Sequence, residues 1–247
     1  MPSSAFYALI AGAGAGTGTA VALRFAQAYP VVLLARSASS YAPAVDAVRA
    51  AGGAAIGIVA DASDPAAVDA AFERIARELP GARLAAAVYN AFAGFAVKPF
   101  LELRPEDLTT NLATGVHGLF FFAQKTLPQL LAAAPTAPHP PTLIVTGATA
   151  SLRGSARFAS IAAAKFGQRG LTQSLAREFG PRGVHVAYAI VDGGIDTPGA
   201  KGVVMNNGVE DGKIRPEAIA DNYWHLHTQH RSAFTQELDL RPFVEKF

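Results

Sequence analysis

Apolar and polar residues alternate along this chain with two periods, one typical of strands and the other of helices. Short apolar runs with the length of a buried strand occupy Phe6–Ala11, Val31–Ala35, Ala55–Val59, Leu84–Tyr89, Thr142–Thr146 and Val184–Val191. Longer Ala-rich segments with helical spacing lie between them, at Thr17–Tyr29, Tyr41–Ala51, Pro65–Leu79, Pro105–Leu131 and Ser155–Phe179. Strands that alternate with helices form right-handed βαβ units. The pattern therefore predicts an α/β protein with a doubly wound parallel sheet and helices on both faces, whose ligand site lies at the carboxyl ends of the strands.

The size and composition predict one domain. A chain of 247 residues, 51% of them hydrophobic, is long enough to bury a single core, so we expect residues 1–247 to form one domain. The formal charge is only +2 and the charges are interspersed, which argues against a nucleic-acid or membrane surface. No apolar run reaches the roughly 18 residues of a membrane span, and Phe6–Ala11 lacks the positive flank of a signal peptide. We therefore expect a cytoplasmic protein.

The residues that commonly bind metals give no pattern of ligands. Cysteine is absent, which excludes disulfides, thiolate zinc sites and thiol nucleophiles. His225, His227 and His230 lie in a predicted C-terminal helix, but their spacing does not bring three ligands to one face. No metal site is expected, and redox chemistry would depend on a bound organic cofactor.

The first predicted strand runs into a glycine-rich turn, Gly12-Ala13-Gly14-Ala15-Gly16-Thr17-Gly18, and then into a helix. Backbone N–H groups in such a turn and at the helix N-terminus hold a pyrophosphate. The strict G-x-G-x-x-G fingerprint is not met, because Thr17 stands at its third glycine. Gly12, Gly16 and Gly18 instead follow the spacing G-x-x-x-G-x-G. We expect these glycines and Thr17 to bind a dinucleotide; the alternative is a flexible turn.

This glycine spacing, together with residues 145–167, resembles the short-chain dehydrogenase/reductase family. In that family a strand ends in a Ser and the next helix presents Tyr-x-x-x-Lys, while an Asn comes from an earlier helix. With Lys165 as the anchor, the Tyr position is Ile161, the Ser position is Ala148 and the Asn position is Gly115. The resemblance implies that Lys165 alone remains of these four catalytic residues, and that it also binds the cofactor by holding both ribose hydroxyls.

The family's chemistry makes that loss important. The family Tyr donates a proton to the carbonyl, the Ser polarises it, and the Lys lowers the pKa of the Tyr and holds the ribose. Three candidates could substitute here: Asn111, one helical turn before the Asn position, Thr149 at the strand end, and Asp192, which replaces the family's Pro near the nicotinamide. Thr149 and Ser151 either polarise the substrate or make ordinary turn hydrogen bonds.

The end of the second predicted strand indicates which nucleotide is used. Enzymes that use NAD place an acidic residue there for the ribose 2′-hydroxyl, whereas an Arg can make charge-assisted hydrogen bonds to a 2′-phosphate. Here Ala35 fills the acidic position and Arg36 follows it, with Ser37 as a further donor. We expect NADP(H) as the cofactor; the alternative is that Arg36 is an ordinary solvated side chain.

The resemblance also implies further cofactor contacts. These are Asp61 and Ala62 at the adenine, Asn90 between the neighbouring strands, and Ile195 and Thr197 at the nicotinamide carboxamide. Tyr89 and Phe92 depart from the family pattern beside Asn90. They either narrow the site and stack on a substrate, or they are core aromatics.

The C-terminal third is expected to cover the substrate and to contribute to assembly. The segment around 199–230, with Tyr223 and Trp224, is expected to form the substrate cover. The stretch Glu237–Pro242 reads as a last strand and tail, which in relatives is often part of the subunit interface. A homodimer or homotetramer is implied.

Together these features predict an atypical NADP(H)-dependent oxidoreductase that transfers a hydride to a small-molecule substrate. An activated carbonyl, an iminium ion or a conjugated alkene needs less acid assistance than a ketone. One alternative is a cofactor-binding regulator or scaffold without redox turnover. Another is a non-redox cyclase or isomerase that uses the pocket as a template.

Overall fold

The computed structural model describes residues 5–246, in which seven parallel strands form one sheet between two layers of helices. Residues 1–4 and 247 of the predicted domain lie outside this description. The strands are β1 Phe6–Ala11, β2 Val31–Ala35, β3 Ala55–Val59, β4 Arg83–Tyr89, β5 Thr142–Thr146, β6 His185–Val191 and β7 Glu237–Leu240. Their order is β3-β2-β1-β4-β5-β6-β7, so the winding direction reverses between β1 and β4. The doubly wound fold is confirmed, and ligands bind such sheets at this reversal.

The helices are α1 Thr17–Phe25, α2 Ala38–Ala50, α3 Pro65–Glu78, α4 Pro105–Leu112, α5 Gly118–Ala133, α6 Ala159–Phe179 and α7 Pro216–Thr228. The clearest start is that of α3, where the Asp64 carboxylate accepts the Ala66 N–H and Pro65 takes the first helical position. Helix α6 begins later than the predicted Ser155. The sequence therefore predicts the first residue of α3, which has a capping Asp and a Pro, better than that of α6, which has no side-chain cap.

The single long helix predicted at Pro105–Leu131 is interrupted in the structure. A π-helical turn, Ala113–His117, separates α4 from α5. Such turns frequently occur at functional sites. This one brings Gly115 so close to α6 that a Cβ on Gly115 would lie 3.2 Å from the Cβ of Ala164.

Both faces of the sheet are buried, which explains why the strands read as continuous apolar runs. Leu9 and Leu84 point to the face covered by α3, α5 and α6, whereas Ile10 and Leu33 point to the face covered by α1, α2 and α7. Each large aliphatic side chain buried in this way contributes about 1.5–3 kcal/mol. The two cores hold the strand ends that carry the candidate site.

Helix α7 belongs to the core rather than to a substrate cover. The ring of Trp224 packs edge-on against Phe25 of α1 at 5.3 Å between ring centroids. Tyr223 is fully buried, and its hydroxyl lies 2.8 Å from Thr146 Oγ1. The expectation that Tyr223 and Trp224 cover the substrate is therefore wrong, because their rings fill space under the sheet. Of the segment predicted around 199–230, residues 199–215 precede α7 and contain no long helix or strand.

No helix between residues 5 and 246 is both long and apolar enough to cross a membrane. Over the same residues, His, Asp and Glu side chains form no group of three or more placed to hold a metal ion. His227 is instead a core residue, with its ring nitrogens 3.0 Å from the Tyr29 hydroxyl and 3.0 Å from Thr142 Oγ1.

Candidate active site

The glycine turn after β1 is fixed against the end of β4. Gly12 has a φ of +92°, which glycine adopts without strain, and a Cβ there would lie 2.5 Å from the carbonyl carbon of Asn90. The Asn90 side chain donates to the Gly12 carbonyl at 2.9 Å, and its backbone N–H donates to the Ala11 carbonyl at 2.8 Å. Asn90 thus links the ends of β1 and β4 at the reversal point, as predicted from the sequence.

The remaining glycines of the turn differ in what surrounds them. A Cβ on Gly18 would lie 2.5 Å from the Gly12 carbonyl oxygen, and one on Gly16 would lie 2.5 Å from Thr197 Cγ2. A Cβ on Gly14 would meet nothing within 4 Å. Thr17 is buried in the first turn of α1. The turn therefore packs closely on the protein at Gly16 and Gly18 and opens outward at Gly14.

A cavity of about 230 Å³ lies beside this turn, along the ends of β1, β2 and β3. Its walls include Gly12, Arg36, Asp61, Ala62 and Asn90. Arg36 itself is exposed at the rim. The sequence-predicted residues of the adenosine end are thus brought together around one cleft.

Two polar residues, one in the cleft and one beside it, were not among the predicted site residues. Ser40 lines it directly, whereas the predicted Ser37 supports Ser40 through a 2.8 Å hydrogen bond between their hydroxyls. Thr19 donates its hydroxyl to the Gly14 carbonyl at 2.9 Å and so fixes the open side of the turn. The serine-rich sequence after Arg36 was the available signal for Ser40, but the helical register of α2 decides which serine faces the cleft.

Asp61 is held as a carboxylate at the cleft wall. Its Oδ1 accepts the backbone N–H of Ser63 at 2.9 Å and the Ser63 hydroxyl at 2.7 Å. Burial acts in the opposite direction, but these hydrogen bonds and the charge of Arg36 hold the pKa of Asp61 below its usual value. Asp61 is not a helix cap, since Asp64 serves that role.

The two aromatic residues around Asn90 have different roles. Tyr89 is fully buried, packs on Phe122 at 5.3 Å between ring centroids and donates its hydroxyl to the Thr114 carbonyl. Burial, with the charge of Asp61, raises the pKa of Tyr89, so its hydroxyl is a weaker acid than that of an exposed tyrosine. Phe92 is 37% exposed and lines both the cleft and a second, smaller cavity. Tyr89 is a core residue, whereas Phe92 faces the site.

Lys165 lies at the second cavity, in the middle of α6. It is buried, and its Nζ donates to the Thr146 carbonyl at 2.8 Å and to Gln168 Oε1 at 2.9 Å. The Phe92 ring lies 5.9 Å from Nζ. Burial lowers the pKa of the Lys165 ammonium to about 8, because a charge is less stable away from water.

Apolar side chains form most of this second cavity. Its walls include Phe92, Gly115, Ile161 and Ala164, and its volume is about 10 Å³, roughly the space of one water. Asn111 lines it as well, but its amide donates to the Asp107 carbonyl at 2.9 Å. Asn111 is therefore near Lys165 with one donor already engaged in its own helix.

Asp192 and Thr149, two predicted substitutes for the missing acid, are bonded to each other. The Thr149 hydroxyl donates to Asp192 Oδ1, and Asp192 Oδ2 lies 2.7 Å from Nη1 of Arg241 in the C-terminal tail. Asp192 is fully buried. Asp192, predicted as a substitute acid near the nicotinamide, thus already has Arg241 as its counterion. Ser151 is also removed from the pocket, since its hydroxyl donates to the Ala148 carbonyl.

The loop after β6 returns to the glycine turn. The backbone N–H of Thr197 donates to the Ile195 carbonyl at 2.9 Å, and Ile195 forms a parallel bridge with Ile214. This conformation places the Thr197 methyl group on Gly16. Ile195 and Thr197 therefore lie at the same end of the sheet as the rest of the candidate site.

The tail after β7 is attached to the segment beyond this loop. Asn206 donates to Glu245 Oε2 at 2.8 Å and to the Gly212 carbonyl at 2.8 Å. A Cβ on Gly193 would lie 2.6 Å from Pro242 Cδ. The contacts of Asn206 with Glu245 and of Gly193 with Pro242 were not predictable, because they join residues far apart in the chain.

Comparison with known proteins agrees with this geometry. The sequence model of a family described as short chain dehydrogenase matches residues 7–207. A short-chain dehydrogenase/reductase of Armillaria gallica is 32% identical over 194 residues, which are 77% of this chain and 71% of that protein.

Solved structures resemble the whole fold. A short-chain dehydrogenase from Rhodopseudomonas palustris superposes with a TM-score of 0.77 at 31% identity, over 96% of this chain and 99% of that one. A short-chain dehydrogenase from Burkholderia cenocepacia in complex with NADP gives a TM-score of 0.82 at 25% identity, over 99% of each chain.

Proposed function

The chain belongs to the short-chain dehydrogenase/reductase family, and we propose that it is an NADP(H)-dependent oxidoreductase whose proton-donating residues differ from those of its family. The cleft at the strand reversal carries this proposal, since it gathers the glycine turn, Arg36, Asp61 and Asn90 around one opening. A bound reduced nicotinamide would supply a hydride to an electrophile held beside it.

The residues present fit a dinucleotide. The open side of the turn at Gly14 leaves room for a pyrophosphate beside backbone N–H groups and the N-terminus of α1. Asp61 and Ala62 would hold the adenine, and Ile195 and Thr197 the nicotinamide carboxamide. The packing of Thr197 on Gly16 supports this arrangement, because it places the loop expected at the nicotinamide beside the turn expected at the pyrophosphate.

The preference for NADP(H) is supported by the charges at the end of β2. Ala35 offers no carboxylate to repel a 2′-phosphate, and Arg36 is exposed at the rim of the cleft with Ser40 on the wall. The guanidinium group of Arg36 is well suited to bind a phosphate, because it presents several N–H donors in one plane. The relative from Burkholderia cenocepacia, which is in complex with NADP, supports the same choice.

The catalytic side of the proposal rests on what surrounds Lys165. Ile161 is buried at the second cavity and Ala148 lies two residues after β5, and neither side chain carries a proton to give. Asp192 is paired with Arg241, so it does not replace them. An acceptor that is already activated, such as a conjugated carbonyl compound, therefore suits this site better than a simple ketone.

Stopped-flow absorbance at the nicotinamide band tests the function directly. The purified protein, mixed with NADPH and a panel of activated carbonyls, conjugated alkenes and iminium ions, is expected to oxidise NADPH with at least one class. Tight NADPH binding without oxidation by any of them would contradict the enzyme assignment.

A second candidate is a cofactor-binding protein without redox turnover. The observation in its favour is the volume of the cavity beside Lys165, which at about 10 Å³ admits no substrate unless Phe92 moves. The same experiment separates the two, and a product formed without NADPH oxidation would instead indicate a cyclase or isomerase.

A further inference from the structure

Lys165 has one N–H group that the protein does not use. An ammonium carries three N–H donors. Two of them are taken by Thr146 and Gln168, and no third acceptor lies within hydrogen-bond distance of Nζ in the stretch 5–246. The family role, in which the Lys holds both ribose hydroxyls, needs two free donors. While Gln168 keeps its place, Lys165 has one donor to offer a ligand.

The surroundings leave the charge of Lys165 without a counterion. No carboxylate forms a salt bridge with Nζ among the described residues, and the nearby Asp192 is already paired with Arg241. Phe92, Ile161 and Ala164 make the rest of the cavity apolar. In such a medium a single positive charge strongly favours a ligand group that is negative or becoming negative, and disfavours a cation.

We propose that, once the half-exposed Phe92 ring moves aside, the remaining N–H of Lys165 binds the oxygen of a neutral conjugated carbonyl substrate and protonates it as it becomes anionic, so that the site excludes iminium ions. This inference rests on the proposed oxidoreductase function and names its substrate class. It makes Lys165 a catalytic residue and Gln168 the positioning residue that fixes its Nζ.

The step balances in atoms and electrons. A bound reduced nicotinamide would supply the hydride and would be oxidised as its own C–H bond breaks. A new C–H bond would form at the β-carbon, the electron pair of the C=C bond would become the C=C bond of the enol, and the π pair of the C=O bond would move onto the oxygen. The carbonyl oxygen takes the charge and forms an O–H bond as one N–H bond of Lys165 breaks. The product enol tautomerises in water, and the neutral Lys165 amine recovers a proton from solvent. The pKa of about 8 supports this role, since the proton is given up more readily than from an exposed Lys.

A spectroscopic probe tests the proposal without turnover. 4-Nitrophenol carries an oxygen that is neutral or anionic, and only its anion absorbs strongly in the visible. Titrated into the wild-type protein below the pKa of the free phenol, it is expected to bind as the anion. Lys165→Met is expected to weaken this binding about tenfold or more, since a hydrogen bond to a charged group is lost. Unchanged anion binding in Lys165→Met would overturn the proposal.

The cationic counterpart is phenyltrimethylammonium, which has a similar size. It is expected not to compete with 4-nitrophenol in the wild type, and to bind better in Lys165→Met. Competition by this cation in the wild type as effective as that of the phenol would also overturn the proposal.

Matched variants separate the role of Lys165 from a loss of folding. Lys125→Met makes the same change at an exposed lysine of α5, outside the candidate site, and is expected to leave the titration unchanged. Gln168→Glu keeps Lys165 but places a carboxylate beside Nζ, and is expected to weaken anion binding as well. If Lys165→Met is unfolded by circular dichroism, Gln168→Glu decides: wild-type anion binding in that variant would contradict the proposal.

Cofactor binding is measured separately, so that the two proposals fail in different ways. NADPH affinity by calorimetry is expected to change less than threefold in Lys165→Met, whereas NADPH oxidation by cinnamaldehyde is lost. If NADPH affinity and the rate of NADPH oxidation fall together in Lys165→Met, Lys165 holds the ribose of the cofactor and the proposal is wrong. Oxidation of NADPH by an N-methyl dihydroisoquinolinium ion but not by cinnamaldehyde would refute the substrate class while leaving the oxidoreductase function intact.

Discussion

The methyl group of Thr197 packs directly on Gly16. A Cβ added to Gly16 would lie 2.5 Å from Thr197 Cγ2, so the loop after β6 and the turn after β1 are in contact with no room for another side-chain atom. Two segments almost the length of the chain apart thereby form one wall of the candidate site.

Gly16→Ala is expected to displace this loop and to destabilise the protein by about 1–3 kcal/mol, the usual cost of an extra methyl group in a packed contact. Thermal unfolding and NADPH calorimetry measure the two effects. Adding Thr197→Ser, which removes the clashing methyl group, is expected to restore part of both. Gly14→Ala is the control for stability, because a Cβ there meets nothing within 4 Å. Equal stability losses at Gly14 and Gly16 would contradict the contact.

Arg36→Ala is expected to remove the preference for NADPH over NADH. The lost charge-assisted hydrogen bond costs roughly 1.5–3 kcal/mol in NADPH affinity, while NADH affinity stays nearly constant. Calorimetry with both nucleotides gives the comparison, and Arg231→Ala, an exposed Arg far along the chain, is the control. Equal affinities of the wild type for the two nucleotides would show that Arg36 is a solvated side chain.

The fold was predictable because its signals are local. Each strand is an apolar run with both faces buried, and β1, β2 and β3 have the bounds that the sequence predicted. The π-helical turn at Ala113–His117 was not predictable, since it changes the hydrogen bonding of the backbone while the apolar spacing continues. Tyr223 was misplaced because an aromatic residue on an amphipathic helix reads the same whether it covers a ligand or fills a core.

The site was predictable where the backbone leaves room only for glycine. At Gly12 and Gly18, an added Cβ atom would collide with neighbouring backbone atoms. Asp192 could not be read correctly, because its partner Arg241 comes from the far end of the chain. The hydrogen bond between Lys165 and Gln168 was not predictable either. Their i, i+3 spacing permits the bond, but the sequence does not show that both side chains are buried, where water cannot replace Gln168 as the partner of Nζ.

Simple ketones are expected to react slowly, because Ala148 and Ile161 offer no acid. Ile161→Tyr alone is expected to give modest ketone reduction, and Ala148→Ser with Ile161→Tyr to give more. The cavity of about 10 Å³ leaves little space for the new ring, so Phe92→Ala should be combined with both. Steady-state NADPH oxidation with a ketone series measures the outcome.

Phe166→Tyr is the control for this series, since it adds a phenol on the exposed side of the same helix. It is expected to leave ketone reduction at the wild-type level. Ordinary reductase rates in the wild type would mean that another acid already serves the site.

Acid is expected to destabilise the protein through His227. Burial, with smaller contributions from His139 and His185, lowers the pKa of His227 from 6.5 to about 3. The Thr142 hydroxyl donates to Pro140, so it accepts Nδ1–H of His227, and Nε2 accepts the Tyr29 hydroxyl; the neutral ring is fully satisfied.

The sign follows from which state binds the proton. The unfolded chain protonates His227 below pH 6.5, whereas the folded protein does so only near pH 3, so the free energy of unfolding falls as the pH drops from 6.5 towards 3. Each pH unit in this window costs about 1.4 kcal/mol. Urea unfolding at stepwise pH is expected to show a steeper loss in the wild type than in His227→Asn. His225→Asn changes an exposed His of the same helix and should keep the wild-type slope. If His227→Asn is less stable at neutral pH but parallels the wild type down to pH 4, the acid lability has another source.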